Sequence, residues 1–520
     1  MTRALATVVV GGGVAGLASA ALLAADGHQV TLLEALPRLG GRAGSWEQGG
    51  FRFDTGPSWY LMPEVFDHFY RLLGTSADEQ LVLRTLDPGY RAYFEGDPEP
   101  FDLPVGGPAA RAALTALDPG SADGLRRYLD SATDAYRLAI EHFLYSSFDS
   151  LPPFLDRRLL ARLPRLVGLL RRSLDDEIRA HTADHRLRRL LGYPAVFLGG
   201  SPMRVPALYH LMSHLDVDDA VRYPDGGFAR VVRTIADLAT GAGARLVTGA
   251  PVHRILVDGG VARGVLYRDE RGVEQRVDAE LVVAAGDLHH TQSLLDPQHR
   301  DLDERWWRRR DPGPGAVLAM LGVRGRVPQL AHHTLLLADD WDGGFDALRR
   351  GRGLPASPSL YIGRPSATDP TVAPAGDENL FVLVPVPAEP GLGHGGIDGA
   401  GDPAVEAFVD RTIDRIAAWT GAGDLAERVV VRRTVGPGDF ADDLRSWHGS
   451  ALGPAHTLRQ SAVLRAPNAS RHVRGLLYAG GSTIPGIGVP MCLISAELVA
   501  KRVRGDRSAS PLPERVRSRV

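Results

Sequence analysis

Gly11, Gly13 and Gly16 stand in G-x-G-x-x-G order, with Gly12, Val14 and Ala15 between them, and Glu34 and Ala35 follow at the end of the next apolar run. The chemistry open to such a set is dinucleotide binding. A first glycine permits a tight turn, a second lets the backbone approach a pyrophosphate, and a third allows a helix to pack closely on a strand. Backbone N–H groups at the helix N-terminus then face the phosphates. A carboxylate at Glu34 suits a ribose 2′-hydroxyl and repels a 2′-phosphate. Arg38, Gly40, Gly41 and Arg42 come next, adding guanidinium groups and an open backbone suited to anionic groups.

These residues need particular elements around them. Residues 7–10 read as a buried parallel strand, Val14–Ala25 as a helix with small residues on its packing face, and "HQVTLLE" as a second strand ending on Glu34. Glycine turns alone are common, whereas strand, glycines, helix, strand and acid in order are specific. Near the other end, "GLLYAGGSTIPGIGVPMCLISAELVAKRV" reads as a short strand at 476–479, Gly480 and Gly481, a proline- and glycine-rich turn, and a helix from about Cys492. A second helix N-terminus is thereby aimed at a ligand. Mid-chain, residues 225–285 read as a helix, a strand, a further strand centred on Val252, and a buried apolar run at 281–285.

Composition narrows the function classes. The chain has 520 residues, a net charge of -3 and a single cysteine, which fits two or three domains and argues against nucleic-acid binding, disulfides and cysteine-clustered metal sites. No metal site is expected. Lys501 is the sole lysine, so a P-loop and a Schiff-base lysine in the body of the chain are excluded. Cys492 reads as a small core residue. No apolar run reaches the roughly 20 residues of a membrane span, and no signal peptide precedes the first strand. The expected location is the cytoplasm or a membrane surface.

"RLGGRAGS" (residues 38–45) resembles the R-x-G-G-R motif of flavoproteins related to the amine oxidases and carotenoid desaturases. "FDTGPSWYLMPEVFDHFYRLLG", "LAHHT", "FVLVPVP", "GSALGPAHTLRQSAVLRAPN" and the C-terminal turn extend the likeness over nearly the whole chain, and together they resemble the bacterial phytoene desaturases. The resemblance implies an α/β protein of the amine-oxidase and GDP-dissociation-inhibitor superfamily. In that fold a Rossmann-type FAD-binding domain is assembled from 1–105, 225–300 and 450–505. A helical substrate and membrane-contact region at 106–224, a mixed β-sheet substrate domain at 301–449 and a flexible basic tail at 506–520 complete it. It further implies that Gly56 and Pro57 lie by the flavin, that Val252 contacts the adenine half, and that Gly480, Gly481, Val489, Pro490 and Met491 meet the flavin end. Ile484 stands where many members carry histidine, which leaves substrate and step number open.

The activity implied is desaturation of phytoene towards lycopene, with a related diapophytoene desaturase or polyene isomerase as alternatives. A non-catalytic isoprenoid-binding protein on the same fold is a further alternative. Flavin amine oxidases resemble one another in a lysine near flavin N5, which this chain lacks. A hydrocarbon substrate calls for an apolar tunnel. Trp59, Tyr60, Leu61, Met62, Phe197, Leu198, Tyr209 and Leu211 are candidates for its walls or for plain core. An allylic C–H is too weak an acid for an ordinary base, so hydride transfer to flavin N5 opens the reaction and a weak base then takes a proton. The resemblance places an acid and arginines after "PFL", here Asp156, Arg157, Arg158 and Arg162, against which stands a charged, solvated helix face. Arg158, Arg162, Arg165 and Arg172 beside Leu159, Leu163, Leu166 and Leu170 also suit an anionic lipid surface. Reduced flavin is expected to pass its electrons to oxygen or a quinone.

Overall fold

The computed structural model describes residues 3–149, 157–351 and 353–515. Strand Ala6–Val10 has no polar alternation because both of its faces are covered. It is the central member of a five-stranded parallel sheet in the order Leu476–Tyr478, Leu281–Ala284, Ala6–Val10, Gln29–Leu33, Arg245–Val247. Val9 is in register with Val283 on one side and Leu32 on the other. Successive residues face opposite ways. Val9, Leu32 and Val283 join the core shared with helices Val14–Ala25, Gly227–Gly241 and Val489–Arg504. Val8, Leu33 and Val282 pack instead beneath an antiparallel sheet of Val252–Asp258, Val261–Arg268 and Glu274–Asp278. The C-terminal helix starts three residues before Cys492 at Val489, with Pro490 in its first turn, where a missing N–H breaks no helical bond.

A second sheet of seven strands runs Val429–Val435, Gly315–Val323, Glu378–Val386, Leu360–Gly363, His333–Leu337, Tyr90–Phe94, Phe101–Leu103. The last two strands fall within 1–105, the stretch that the sequence assigns to the FAD-binding domain. The structure corrects that boundary, because Tyr90–Phe94 pairs in parallel with His333–Leu337 and covers what would otherwise be an open sheet edge. One face of this sheet (Leu336, Leu360, Ile362, Val382) packs on helix Pro403–Thr420. The other face (Leu335, Leu337, Tyr361, Phe381) turns to the helices between 107 and 217.

Two further expectations change. Helix Arg157–Arg171 runs through Pro164, and Leu159 and Leu166 point into a small core with Leu138 and Leu208 rather than outward. The tail up to residue 515 is pinned, not free. Lys501, 1% exposed, donates to the carbonyls of Tyr145, Ser508 and Ser510. Leu512 N–H donates to Glu497, and Arg515 reaches Ala25 O and Asp26. A buried ammonium needs acceptors, and the tail supplies two of its three. Residues 516–520 lie outside the described residues.

Candidate functional site

The glycine loop leaves the central strand at the carboxyl end of the parallel sheet, where open α/β sheets bind ligands. Gly11 N–H donates to Leu33 O at 2.8 Å, and its φ of 106° is a left-handed value that favours glycine. A Cβ on Gly16 would stand 1.9 Å from Gly11 O, so helix and loop touch only because that position is bare. Helix Val14–Ala25 has neither a side-chain cap nor an acid in its first turn, which leaves its N-terminus to an anion. Glu34 is buried and accepts from Gly12 N–H and, at 2.8 Å, from Leu36 N–H. Ala250 N–H donates to Glu34 O at 2.8 Å, which brings the start of strand Val252–Asp258 beside the acid.

The two arginines of the next segment diverge. Arg38 is exposed, while Arg42 turns inward and donates to Ala451 O and Ser446 Oγ, each at 2.9 Å. Gly40 N–H bonds to Gly12 O at 2.8 Å, and a Cβ on Gly56 would collide with Arg42 O at 2.0 Å. Residues 40–57 are thereby folded onto the glycine loop.

The C-terminal turn is held from behind by residues whose roles spacing does not signal. Arg465, 5% exposed, donates to the carbonyls of Pro454, Gln460, Gly481 and Thr483. Burial lowers its pKa to about 10, so it remains a cation at neutral pH. Asn468 is fully buried, and its Nδ2 bonds Ile484 O at 2.9 Å and Ser495 Oγ at 3.2 Å. His456 accepts from Ile487 N–H at Nε2, so its Nδ1 carries the proton toward Tyr209, 2.6 Å away, and Tyr209 donates on to Ser461. Burial holds the His456 imidazole neutral. Asp287, at the end of its strand, caps helix Leu288–Ser293 and also accepts from Trp447 N–H. Burial pushes the Cys492 thiol up to about 11, so it stays protonated. Helix Val489–Arg504 likewise begins without an acid or a side-chain cap. Two bare helix N-termini, a cradle of glycines whose methyls would clash, and a buried acid at the end of the second strand fit an extended dinucleotide such as FAD.

An apolar cavity of about 120 Å³ lies between the seven-stranded sheet and the helical region, walled by Tyr193, Phe197, Leu335, Trp341, Tyr361 and Leu452 among others. Ala451 also lines it, and its carbonyl holds Arg42, so cavity and glycine-loop side share a wall. Trp59 stacks on His333 at 4.5 Å and lies 5.5 Å from Phe197. Of the other candidate wall residues, Tyr60 stacks on Phe66 at 4.1 Å, and Leu61 and Met62 belong to the core of the parallel sheet. A wider hollow of about 600 Å³ opens by Arg254, Arg276 and Glu280. It lies by Ala6, at the amino end of the central strand and away from the loop.

Asp156 lies outside the described residues. Arg157 is exposed and Arg162 pairs with Asp134 at 3.1 Å, as Arg165 also does. Among the described residues no contact brings Arg157, Arg162 or Arg165 to the glycine loop, and the Arg158 side chain lies outside the described residues.

The family model described as flavin containing amine oxidoreductase matches residues 14–504. The carotenoid 3,4-desaturase of Haloarcula japonica is 39% identical over 502 residues, covering 96% of this chain and 98% of that protein. The zeta-carotene-forming phytoene desaturase of Myxococcus xanthus is 34% identical over 504 residues, covering 96% and 94%. Among solved structures, putrescine oxidase bound to putrescine superposes with a TM-score of 0.60 at 17% identity, over 97% of this chain and all of that one, which speaks to the fold alone.

Proposed function

The chain belongs to the flavin containing amine oxidoreductases and, within them, to the carotenoid desaturases, and from that premise we propose that it desaturates phytoene in the direction of lycopene. It is an FAD-dependent oxidoreductase acting on CH–CH bonds of a hydrophobic polyene. The observation that carries the phytoene reading is the apolar cavity sharing a wall with the glycine-loop side, in a chain that matches a phytoene desaturase over 96% of its length. At about 120 Å³ the cavity is smaller than the roughly 300–1,000 Å³ of ordinary ligand pockets, so a long polyene enters by displacing aromatic walls. The greater identity to a carotenoid 3,4-desaturase favours a second reading, desaturation of an already conjugated polyene at its end.

FAD, when bound, supplies the hydride acceptor. In this reading Gly11 to Gly16 and the helix behind them hold the pyrophosphate, and Glu34 the ribose. Ala35 and Val252 flank the adenine half. Arg42, Gly40, Gly41, Gly56 and Pro57 lie along the flavin, with Gly480, Gly481, Val489, Pro490 and Met491 at its far end. Arg465 orients the Gly481 and Thr483 carbonyls, and so the peptide planes of that turn. The seven-stranded sheet and the helical region hold the polyene, while the cavity walls exclude water.

No helix among the described residues is long and apolar enough to cross a membrane. The reading includes contact with one leaflet through Leu160, Leu163 and Val167, which recur on one face of helix Arg157–Arg171 and are 45%, 47% and 42% exposed. Oxygen or a membrane quinone is the proposed electron acceptor.

The test is anaerobic. FAD-loaded protein is mixed with phytoene in liposomes, flavin absorbance is followed, and the lipids are extracted. Bleaching with more conjugated products supports the phytoene reading. Bleaching only with a conjugated carotenoid replaces it with the second.

A further inference from the structure

Residues 458–464 are built inside out. Around the turns Leu458–Gln460 and Ala462–Leu464 the polar Gln460 and Ser461 are 5% and 6% exposed, while Leu458, Val463 and Leu464 are 45%, 65% and 51% exposed. Hydrogen bonds hold the reversal in place. Gln460 accepts from Asp311 N–H at 2.7 Å and donates to the carbonyls of Asp311 and Ala455, each at 2.9 Å, and Ser461 donates to Thr457 O at 2.8 Å. Apolar side chains fixed in water forfeit the gain of burial, and a cluster of them marks an interaction site.

The rim of this loop is basic. Gln460 fastens it to Asp311, which follows directly on Arg308, Arg309 and Arg310. Arg310 donates to Arg459 O at 2.6 Å, and its guanidinium lies 4.2 Å from the ring centre of half-buried Trp306. Arg308, Arg309 and Arg459 are exposed, and among the described residues none of the four arginines has an ion-pair partner. The acids nearest in sequence are engaged elsewhere, Asp311 with Arg204 at 2.6 Å and Glu304 with His289 at 3.1 Å. Arg162 and Arg165 of helix Arg157–Arg171, by contrast, are both tied to Asp134. Tyr209 donates to Ser461 at 3.0 Å, and the preceding Leu208 packs with Leu159 and Leu166. That helix and the loop therefore flank one short turn, Ala207–Leu211.

We propose that residues 458–464, with Arg308, Arg309, Arg310 and Arg459, form a docking surface for an anionic bilayer. Leu458, Val463 and Leu464 enter the leaflet, the guanidinium groups take lipid phosphates, and Trp306 sits at headgroup level. The inference rests on the leaflet-contact reading and adds to it a choice of headgroup, which the paired arginines of the helix do not supply. The apolar tips assign the surface to a bilayer and not to a soluble polyanion, which has no place for them. Each arginine near an acidic membrane raises partitioning by up to about fivefold.

Flotation of the FAD-loaded chain tests this, with vesicles of phosphatidylcholine alone and vesicles in which about a third of the lipid is phosphatidylglycerol, at low and high salt. Wild type should partition at least about tenfold more strongly onto the phosphatidylglycerol vesicles at low salt, and lose most of that preference at high salt. Arg308→Gln, Arg309→Gln and Arg459→Gln together should cut the preference at least about tenfold, with binding to phosphatidylcholine within about twofold of wild type, and the same three positions as lysine should keep it. Leu458→Ser, Val463→Ser and Leu464→Ser together should lower flotation severalfold on both vesicles, with flavin absorbance and Tm retained. Equal flotation of wild type on both vesicles overturns the proposal and leaves the leaflet contact standing. A glutamine variant that keeps the preference overturns it, as does a serine variant that floats like wild type, because charge alone then binds. Wild type that floats with neither vesicle fails the leaflet contact as well.

Discussion

Gly16 leaves no room for a methyl: the Cβ of an alanine would lie 1.9 Å from Gly11 O. Gly16→Ala should therefore push the helix off the loop and weaken FAD binding at least about tenfold, read by flavin fluorescence titration, with the far-UV spectrum retained. Arg465 acts differently. Arg465→Met strips donors from the carbonyls of Pro454, Gln460, Gly481 and Thr483, and the expected loss is on the order of 3 kcal/mol in chemical denaturation, with weaker flavin retention. Asp216, buried and bonded to Tyr193, has its carboxyl pushed up to about 7 by desolvation. The folded state thus holds a proton there that the unfolded chain releases near pH 4, so this group's contribution to stability falls as pH rises from about 4 to 7. Asp216→Asn should flatten that part of the Tm-against-pH curve and raise Tm above pH 7 relative to wild type.

Elements show the same logic at larger size. Helix Arg157–Arg171 divides its apolar residues between two faces, with Leu159 and Leu166 inward and Leu160, Leu163 and Val167 outward. Arg162 and Arg165 are tied to Asp134, so in the proposed lipid contact the apolar face would make the larger contribution. Replacing Leu160, Leu163 and Val167 together by serine should reduce liposome flotation severalfold while Tm stays within about 2 °C, because solvent-facing positions contribute little to the fold. Unchanged flotation would refute that contact surface.

Across the whole molecule, the parallel sheet gathers strands from three distant stretches of chain, and the last helix is sealed by a tail bonded to Lys501. A ligand lying across all three stretches binds only the assembled state. FAD at a thousandfold excess over its Kd should then add about 4 kcal/mol of stability, seen as a single cooperative transition at higher temperature. Lys501→Met should free residues 506–515 to proteolysis without abolishing flavin binding.

The sequence by itself determined the glycine loop, its acid, the small-faced helix and the C-terminal turn, because each is a local pattern in which a residue type is forced by backbone geometry a few positions away. It also carried the family likeness over nearly the whole chain. Tertiary structure decided what local patterns cannot encode. Tyr90–Phe94 left the stretch assigned to FAD when it paired with His333–Leu337, far along the chain. Arg42 was separated from Arg38 only by distant partners, the Ala451 carbonyl and the Ser446 hydroxyl. Arg465 and His456 look like any other polar residues in the sequence, and their importance arises from long-range packing that buries them beside the C-terminal turn. Burial and partners across sequence distance are properties of the folded chain, where desolvation changes what a side chain can do.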